Sequence, residues 1–408
     1  MTLAAPDAAC GASPTDTATV VVSRPDTCTN GTLTVYYTTG GAATNNVNYT
    51  ASPASGSLVL TAGQTSATIV ITPKAPYNLG APKDFTVSLT NGPYVIGTPG
   101  SATCTLRTIF GDWAKKAQIQ FSGYNRTETL TNFPALVLLG TNVSGFSYSA
   151  LASPANGGDL RFSSATGDEL NYEVDSWNTN GTSYVWVQVP ALGSSNDTIL
   201  AYWGNPAQTI PPACTTNGAT WDTLYDGVWH MKQTNVVDST TNHYNGTATA
   251  NVSATNGPIG GADYFVGGGG ATTFYVDVSP LPERTSFTYS GYLCPLAVNN
   301  NIFEQRNPDR DLYMNNGQLT LGWYNGGVIT ASGGSMASGS WYHVAGTWDG
   351  TSQRVFVNGV QVGSATPVAQ TAGTPIWSRI GVADDGGGWT NNSTLAILRA
   401  DRASIPFF

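Results

Sequence analysis

Short runs in which apolar and polar residues alternate recur along the whole chain, separated by turn-forming Gly, Asn, Pro and Ser. Alternation with a period of two places the apolar side chains on one face of a β-strand. Within residues 16–106 the pattern predicts six strands at the spacing that is typical of a β-sandwich. These strands are 17–23, 31–38, 56–60, 66–72, 83–90 and 102–107.

Composition supports strands over helices along the rest of the chain. Charged residues make up only 10% of the 408 residues, with five Glu and five Lys, whereas Gly is abundant at 47 residues. Helices need charged and Ala/Leu-rich surfaces, while Thr, Val, Tyr and Trp suit a pleated sheet. The length allows about three domains of ordinary size. We therefore predict an all-β chain of three sandwich domains in tandem: residues 1–110, residues 111–206, a linker at 207–220, and residues 221–408.

The first block resembles a Calx-beta domain, an immunoglobulin-like sandwich. The resemblance depends on Val20-Val-Val-Ser-Arg24, on residues 31–38 followed by Asn48, on Asp84-Phe-Thr-Val-Ser-Leu89, and on Tyr94-Val-Ile-Gly97. Members of that family that sense calcium place acidic residues where this chain has Asn48 and Lys74. Calcium affinity depends on carboxylate oxygens, so a lysine there would repel the ion. We expect this domain to be a calcium-free spacer.

The middle block resembles a module of bacterial and archaeal surface proteins, the domain of unknown function 2341, which often precedes a laminin-G-like domain. Its landmarks are at residues 130–134, 158–162, 172–178, 185–190 and 202–206. Trp203 departs from the usual Tyr-Tyr-Gly-Asn-Pro motif, but it replaces one aromatic residue by another. Asp159 and Arg161 are expected to form a buried ion pair that fixes a turn.

One carboxylate pair in this block merits consideration as a catalytic site. Glu173 and Asp175 share a face of one predicted strand, and two carboxylates can divide the roles of acid and nucleophile. The run resembles the Glu-x-Asp-x-x-Glu strand of retaining glucanases, but Asn178 stands at the second glutamate. An amide cannot donate and recover the proton that glycoside hydrolysis needs. We predict structural hydrogen bonding for both carboxylates, near Arg161 or backbone amides, with contact to a ligand or ion as the alternative, and no enzymatic activity.

The last block resembles the concanavalin A-like jelly roll of the laminin-G and pentraxin group. Its signatures include Gly227-Val-Trp-His-Met231, Asp238-Ser-Thr-Thr-Asn242, Trp341-Tyr-His-Val-Ala345 and Val355-Phe-Val-Asn-Gly-Val360. The last two, with Asp349-Gly350 between them, describe adjacent strands joined by a turn. His230 and His343 lie inside strand motifs and, with His243, lack the spacing of a metal cluster, so structural roles are expected.

The laminin-G resemblance implies a calcium ion at the rim of the sandwich. Asp238 and Asn242 match the early ligand loop, but the usual Ile-Asp-Glu before the closing strand is missing. Asp384, Asp385 and Asn391 are the candidate replacements. The end of the chain, 399–408, also departs from the family, so the final strand is in doubt. An incomplete sheet would leave an edge that can accept a strand from a neighbour.

Four aromatic residues in turn-rich stretches are candidates for contact with a sugar: Trp323, Tyr324, Trp377 and Trp389. The apolar side of a pyranose stacks on an aromatic ring, while polar side chains satisfy its hydroxyl groups. Each of the four residues has the alternative role of packing in the core.

Five cysteines, Cys10, Cys28, Cys104, Cys214 and Cys294, are too widely spaced for a zinc site. Structural disulfides are the favoured interpretation and free buried thiols the alternative. The simplest arrangement pairs Cys214 with Cys294 and joins two of the first three, leaving one cysteine over.

The formal charge of −9 comes without a cluster of Lys or Arg, which argues against nucleic acid and anionic membranes as partners. Residues 1–10 lack the regions of a signal peptide, so we expect that a leader has been removed or that a longer chain contains this one. We predict a secreted or cell-surface adhesion protein that binds a glycan or surface protein through its C-terminal jelly roll. The alternative is a structural subunit of an extracellular fibre, sheath or appendage that binds copies of itself.

Overall fold

The computed structural model describes residues 1–11, 16–54, 56–74, 82–108, 110–232, 235–249, 252–265, 275–306, 309–324, 328–367, 373–381 and 393–401. These residues form strands and turns, with three short 3-10 helices at Asp26–Cys28, Tyr148–Ala150 and Ala213–Thr215. The all-β prediction is confirmed.

The chain divides into two compact units. The first consists of 1–121, 145–170 and 196–210, and the second of 122–144, 171–195 and 211–408. The predicted domain boundaries stay predictions.

Strands follow one another along the whole chain. The first fifteen are β1 (Thr2–Asp7), β2 (Ala9–Cys10), β3 (Ala18–Ser23), β4 (Leu33–Gly41), β5 (Tyr49–Ser52), β6 (Ser57–Leu60), β7 (Ser66–Pro73), β8 (Lys83–Leu89), β9 (Ser101–Leu106), β10 (Lys115–Gln120), β11 (Leu130–Leu139), β12 (Arg161–Ser164), β13 (Tyr172–Ser176), β14 (Ser183–Leu192) and β15 (Thr198–Trp203). The others are β16 (Tyr225–Trp229), β17 (Asn235–Val236), β18 (Gly246–Ala248), β19 (Val252–Asn256), β20 (Gly261–Phe265), β21 (Val276–Val278), β22 (Phe287–Pro295), β23 (Asn300–Arg306), β24 (Arg310–Asn315), β25 (Gln318–Tyr324), β26 (Val328–Ser335), β27 (Tyr342–Trp348), β28 (Gln353–Val357), β29 (Val360–Ala365), β30 (Trp377–Ile380) and β31 (Ser393–Asp401).

The first unit contains a two-sheet sandwich. One sheet has the order β1-β3-β7-β5 and the other β2-β9-β8-β4-β6. Alternate residues such as Val20, Ile69 and Phe85 are buried in the core between them. All six strands predicted for residues 16–106 are present as β3, β4, β6, β7, β8 and β9. The Calx-beta resemblance itself stays a prediction.

The first unit also contains the sheet β10-β15-β12, and Asp159 lies in the loop just before β12. The expected pair between Asp159 and Arg161 is replaced by bonds to the backbone. The Asp159 carboxylate accepts N–H bonds from Ala152, Ser153 and Gly204 at 2.9, 2.9 and 2.6 Å. The Arg161 guanidinium donates to main-chain carbonyls of its own turn. Both groups fix a turn, as expected, because a buried charge needs hydrogen-bond partners of either kind.

None of the five cysteines, all of which lie in the described part of the chain, forms a disulfide, so the expected disulfides are not present in the structure. Cys10 and Cys104 are buried in the apolar core of the first sandwich, where burial raises the pKa of each thiol to about 11. A thiol in such surroundings packs as a small apolar group. The alternative of free buried thiols therefore describes these two and Cys294, where burial also raises the pKa, whereas Cys28 is exposed.

Alkylation of the native protein is expected to label Cys28 and to spare Cys10 and Cys104, because Cys28 is exposed to the reagent, whereas Cys10 and Cys104 are buried and burial raises the pKa of their thiols. Peptide mass mapping before and after unfolding measures this. Protection of Cys28 that disappears only after reduction would mean that it is in a disulfide.

The second unit contains a jelly roll of two eight-stranded sheets. The first sheet has the order β19-β20-β31-β22-β27-β28-β29, with β16 also paired to β31, and the second has the order β17-β18-β21-β30-β23-β24-β25-β26. Phe287, Tyr289 and Val344 of the first sheet and Phe303 and Leu312 of the second meet in one apolar core. β27 and β28 are neighbours joined by the turn at Asp349, as their motifs predict.

The closing strand pairs in the sheet over residues 393–401, so the expected doubt does not apply to this part of the chain. β31 pairs with β22 along one edge and with β20 and β16 along the other. Residues 393–401 therefore lie inside the first sheet, and they leave no open edge at this position. Residues 402–408 lie outside the described part.

A third sheet of the second unit has the order β11-β14-β13. Its Trp186 packs with Trp221, Tyr225, Val228 and Ile259 in a small apolar cluster. This cluster joins the sheet to the beginning of the jelly roll. No helix among the described residues has the length and apolar character needed to cross a membrane.

Candidate functional site

A row of charged side chains crosses the outer face of the second jelly-roll sheet. Asp277 of β21 lies opposite Arg379 of β30, Arg379 opposite Glu304 of β23, and Glu304 opposite Asp311 of β24. The next residues along these strands, among them Ile380, are fully buried in the core. Since neighbouring residues of a strand point to opposite faces, the charged row lies on the side away from the core.

Arg379 lies between two aromatic rings at one end of this row. Its guanidinium carbon is 4.2 Å from the ring centroid of Trp377 and 4.4 Å from that of Tyr275. Its Nε lies 3.4 Å from Asp277 Oδ1. Cation–π contacts and the ion pair hold Arg379 and both rings in one arrangement. Both rings remain partly exposed, so the face presents ordered aromatic surface beside charged groups.

At the other end of the row, one position has no side chain and lies beside Tyr313. Asp311 faces Gly322 of β25, and a Cβ atom added at Gly322 would lie 3.2 Å from the ring of Tyr313. The glycine therefore leaves space that this ring occupies. The face has aromatic side chains at both ends and exposes the carboxylates Asp277 and, in part, Asp311. Glu304, between them, is only 1% exposed and offers no surface to a ligand in this structure. Polar groups flanked by aromatic surface are the usual composition of a site for a small polar ligand.

The four predicted sugar-contact residues lie in different environments or outside the described part of the chain. Trp377 belongs to the aromatic end of the face. Trp323 is only 2% exposed and packs edge-on against Trp348 in the core, with ring centroids 4.6 Å apart, so it offers no surface to a ligand in this structure. The side chain of Tyr324 and all of Trp389 lie outside the described residues.

The predicted calcium loop is ordered by hydrogen bonds of the protein itself. Asp238 Oδ1 accepts from the backbone N–H groups of Val228 and Thr240, each at 2.9 Å. Asp238 Oδ2 accepts from Thr240 Oγ1 and from the N–H of Tyr244 at 2.9 and 2.8 Å. Asn242 Nδ2 donates to the carbonyls of Tyr225 and Asp226.

These bonds use all four lone-pair positions of the Asp238 carboxylate. In this arrangement the carboxylate has no lone pair left to coordinate calcium. Within the described residues, no group of three or more His, Cys, Asp or Glu could hold a metal ion. Asp384, Asp385 and Asn391, the predicted partners, lie outside those residues. Calcium binding therefore stays a prediction.

The carboxylates Glu173 and Asp175 enclose His230 in the second unit. His230 Nε2 lies 3.2 Å from Glu173 Oε1, and His230 Nδ1 lies 2.9 Å from Asp175 Oδ2. The side chains of His230 and Asp175 are 5% and 1% exposed, and that of Glu173 is 16% exposed. The strand of the third sheet thus contacts the beginning of the jelly roll through a buried ionic network.

Further donors complete this network. Trp221 Nε1 and Ser239 Oγ donate to Glu173 at 2.5 and 2.6 Å, and Trp186 Nε1 donates to Asp175 at 3.1 Å. The Lys232 ammonium lies 3.1 Å from Asp175 Oδ1. Bonds from both carboxylates raise the pKa of His230 to about 9 against the effect of burial, and His230 helps to hold the pKa of Asp175 at about 2.

The network keeps both carboxylates ionised, hydrogen-bonded and away from solvent. A general acid must be protonated near the working pH and reach its substrate, and neither carboxylate meets these conditions. Glu173 and Asp175 have structural hydrogen bonds, but their partners are His230 and tryptophan N–H groups, not Arg161 or the backbone amides that we expected. Sequence reasoning missed His230 as a partner because position 230 is far along the chain from position 173.

Sequence reasoning also missed Tyr275, Asp277 and Arg379 as members of the outer face. They come from strands about one hundred residues apart, and only the pairing of β21 with β30 brings them together. The alternation of Trp377-Ser-Arg-Ile380, with Ser378 and Ile380 buried, is the one local signal that Trp377 and Arg379 share a face.

Comparison with protein families gives two matches. Residues 156–236 match the domain of unknown function 2341, and residues 267–396 match the concanavalin A-like lectin/glucanases superfamily. The order of the two matches is the order predicted from the sequence. A sequence search of curated proteins gave no match.

Several solved structures are similar to part of the chain. Domain 4 of AbnA, a GH43 extracellular arabinanase from Geobacillus stearothermophilus, solved in complex with arabinotriose, is 19% identical; the match covers 44% of this chain and 93% of that one, with a TM-score of 0.37. The binding domain of Paraclostridial Mosquitocidal Protein 1 is 11% identical, with 44% and 49% covered and a TM-score of 0.36. The receptor binding domain of botulinum neurotoxin D is 12% identical, with 45% and 50% covered and a TM-score of 0.35. The chain thus spans about half the length of the last two. The chain carries a domain of unknown function 2341 match followed by a concanavalin A-like match, and it is an all-β protein.

Proposed function

We propose that this protein is a non-catalytic, secreted or cell-surface binding protein that holds a carbohydrate on the outer face of its second jelly-roll sheet. The face is defined by Tyr275, Asp277, Trp377 and Arg379 at one end and by Asp311 and Tyr313 at the other. The match of residues 267–396 to a superfamily that includes lectins supports this assignment and spans all of these residues.

The observation that carries the proposal is the stack of Tyr275, Arg379 and Trp377. A pyranose binds where an aromatic ring covers its apolar side and charged or polar groups meet its hydroxyls. Here the rings are fixed at 4.4 and 4.2 Å from one guanidinium, and a carboxylate lies 3.4 Å from the same arginine. Rigid partners reduce the entropy lost on binding. The stack therefore offers both kinds of contact with little loss of conformational entropy on binding.

The non-catalytic part of the proposal is supported by the state of Glu173 and Asp175. They are the carboxylate pair that the sequence offered for glycoside hydrolysis, and His230 and two tryptophan N–H groups occupy them. The location outside the cell remains part of the proposal.

Replacing Tyr275 by Ala is expected to weaken binding to the best glycan from an array by about tenfold or more, since stacking contacts of this kind contribute roughly 1–3 kcal/mol. Trp377→Ala is expected to act in the same direction. Tyr36→Ala is the matched control, because Tyr36 is 45% exposed and lies in the first unit. Affinities come from calorimetric titration of the full chain.

Equal losses in Tyr275→Ala and Tyr36→Ala would contradict the placement of the site. The absence of any glycan ligand, together with regular filaments in electron micrographs of the native material, would instead favour the structural subunit.

A further inference from the structure

Asp263 has an unusual position in the jelly roll. It is the middle residue of β20, opposite Ala254 of the edge strand β19 and Leu395 of β31. Its relative exposure is 0%, and Phe265, two residues along and on the same face of the strand, belongs to the apolar core. The carboxyl group therefore lies on the inner face of the first sheet.

Among the described side chains, no group compensates a charge at this position. Among the described residues, neither oxygen of Asp263 has a hydrogen-bond partner. The edge strand β19 has no titratable side chain, and the buried side chains of β21 in the facing sheet, Val276 and Val278, are apolar. Burial alone raises the pKa of Asp263 from 3.8 to about 7. A lone buried carboxyl is expected to exist in its neutral form well above the pH at which an exposed one ionises.

Charged residues also occur on the segments next to Asp263. Lys232 packs against Gly261, two residues before Asp263, but its ammonium lies 3.1 Å from Asp175. Arg399 and Asp401 of β31 come at the far end of that strand, opposite β22 and β16. Asp263 is thus the residue whose charge is expected to change near neutral pH.

Asp263 lies in a hairpin at the edge of the sheet. Among the described strands, β19 pairs only with β20. Residues 252–265 can therefore leave the first sheet with the loss of one described strand pairing, that of β20 with β31. The turn of this hairpin contacts the third sheet: Ile259 packs with Trp186 and Trp221, and a Cβ atom at Gly260 would lie 3.3 Å from Asp175 Oδ1. Movement of the hairpin would therefore also uncover two tryptophans.

We propose that Asp263 is a proton-dependent latch: the neutral carboxyl lets the β19–β20 hairpin stay seated in the jelly roll, and ionisation favours its release. In the open hairpin the carboxyl meets water and ionises at the ordinary pH of an aspartate. In the seated hairpin the same ionisation places an uncompensated charge in the core. The opening equilibrium therefore rises as pH rises from about 4 to about 7, by close to tenfold per pH unit, and is constant above that range.

The test is hydrogen exchange of residues 252–265 in the full chain between about pH 4.5 and pH 6.5, corrected for the pH dependence of the chemical exchange step. The charge states of His230 and Asp175 are constant across this window. The wild-type hairpin is expected to lose protection by about a hundredfold over these two pH units. Asp263→Asn, which keeps the shape but cannot ionise, is expected to show a flat profile. Asp277→Asn, at a partly exposed carboxylate on β21, is expected to follow the wild type.

A wild-type profile as flat as that of Asp263→Asn would overturn the proposal. If Asp263→Asn does not fold, infrared spectroscopy of the wild type decides: a protonated carboxyl band that persists at about pH 6 supports the latch, and its loss together with that of exposed carboxyls near pH 4 contradicts it. Trp fluorescence over the same pH range reports the uncovering of Trp186 and Trp221, and an unchanged signal with lost protection would limit the opening to the strands.

Discussion

Replacing His230 by Asn is expected to lower the free energy of unfolding of the second unit by about 3–5 kcal/mol, the cost of removing one partner from a buried ionic network. Glu173 and Asp175 would remain as two carboxylates near each other without the cation that lies 3.2 and 2.9 Å from them. Denaturant unfolding followed by Trp fluorescence measures the change, because Trp186 and Trp221 are part of the same network.

His243→Asn is the matched control, because His243 is exposed and its positive φ of 55° suits asparagine. It is expected to change stability by less than about 0.5 kcal/mol. The difference between wild type and His230→Asn should also depend on pH. The pKa of His230 is raised to about 9, so its contribution is complete below about pH 6.5 and is lost as pH rises through 9. A difference that does not fall in alkali would contradict a charged His230.

Replacing Asp238 by Ala is expected to destabilise the second unit by about 3 kcal/mol or more, because a buried carboxylate with four donors would be lost. Three backbone N–H groups, those of Val228, Thr240 and Tyr244, would lose their acceptor in a buried loop. Asp277→Ala is the control for charge, because its side chain is 52% exposed. Thermal unfolding of the three proteins provides the comparison.

The same measurement separates the two roles that can be given to Asp238. If hydrogen bonding alone explains this residue, a calcium chelator leaves the unfolding temperature of the wild type unchanged while Asp238→Ala lowers it. A large fall on chelation, absent from Asp238→Ala, would restore the calcium site predicted from the Asp-Ser-Thr-Thr-Asn loop.

Much of the fold could be predicted because its signal is local. Alternation identified β3, β4, β6, β7, β8 and β9, where one face is buried and the other is not. β1 and β5 were missed. β1 is a run of small residues with Leu3 as its buried residue, and β5, Tyr-Thr-Ala-Ser, is too short to display a period. β31 was doubted because its sequence departs from the family, yet its backbone pairs on both sides.

The site could be predicted only in part because its members are distant in sequence. Trp377 was found from its residue type, and Trp323 was selected by the same rule although it is buried in the core. An aromatic residue in a strand suits either face, and only the register decides which one it occupies. The pairing of β21 with β30 brings Arg379 next to Tyr275, and no single-sequence pattern reveals this pairing.

The measurement that tests the central claim most directly is a crystal structure of the full chain with the tightest glycan identified on an array. We expect a sugar ring against Tyr275 or Trp377, with hydroxyl groups within hydrogen-bond distance of Asp277, Arg379 or Asp311. A sugar bound at the Asp238 loop, on the first sheet or in the first unit would contradict the assignment of the outer face.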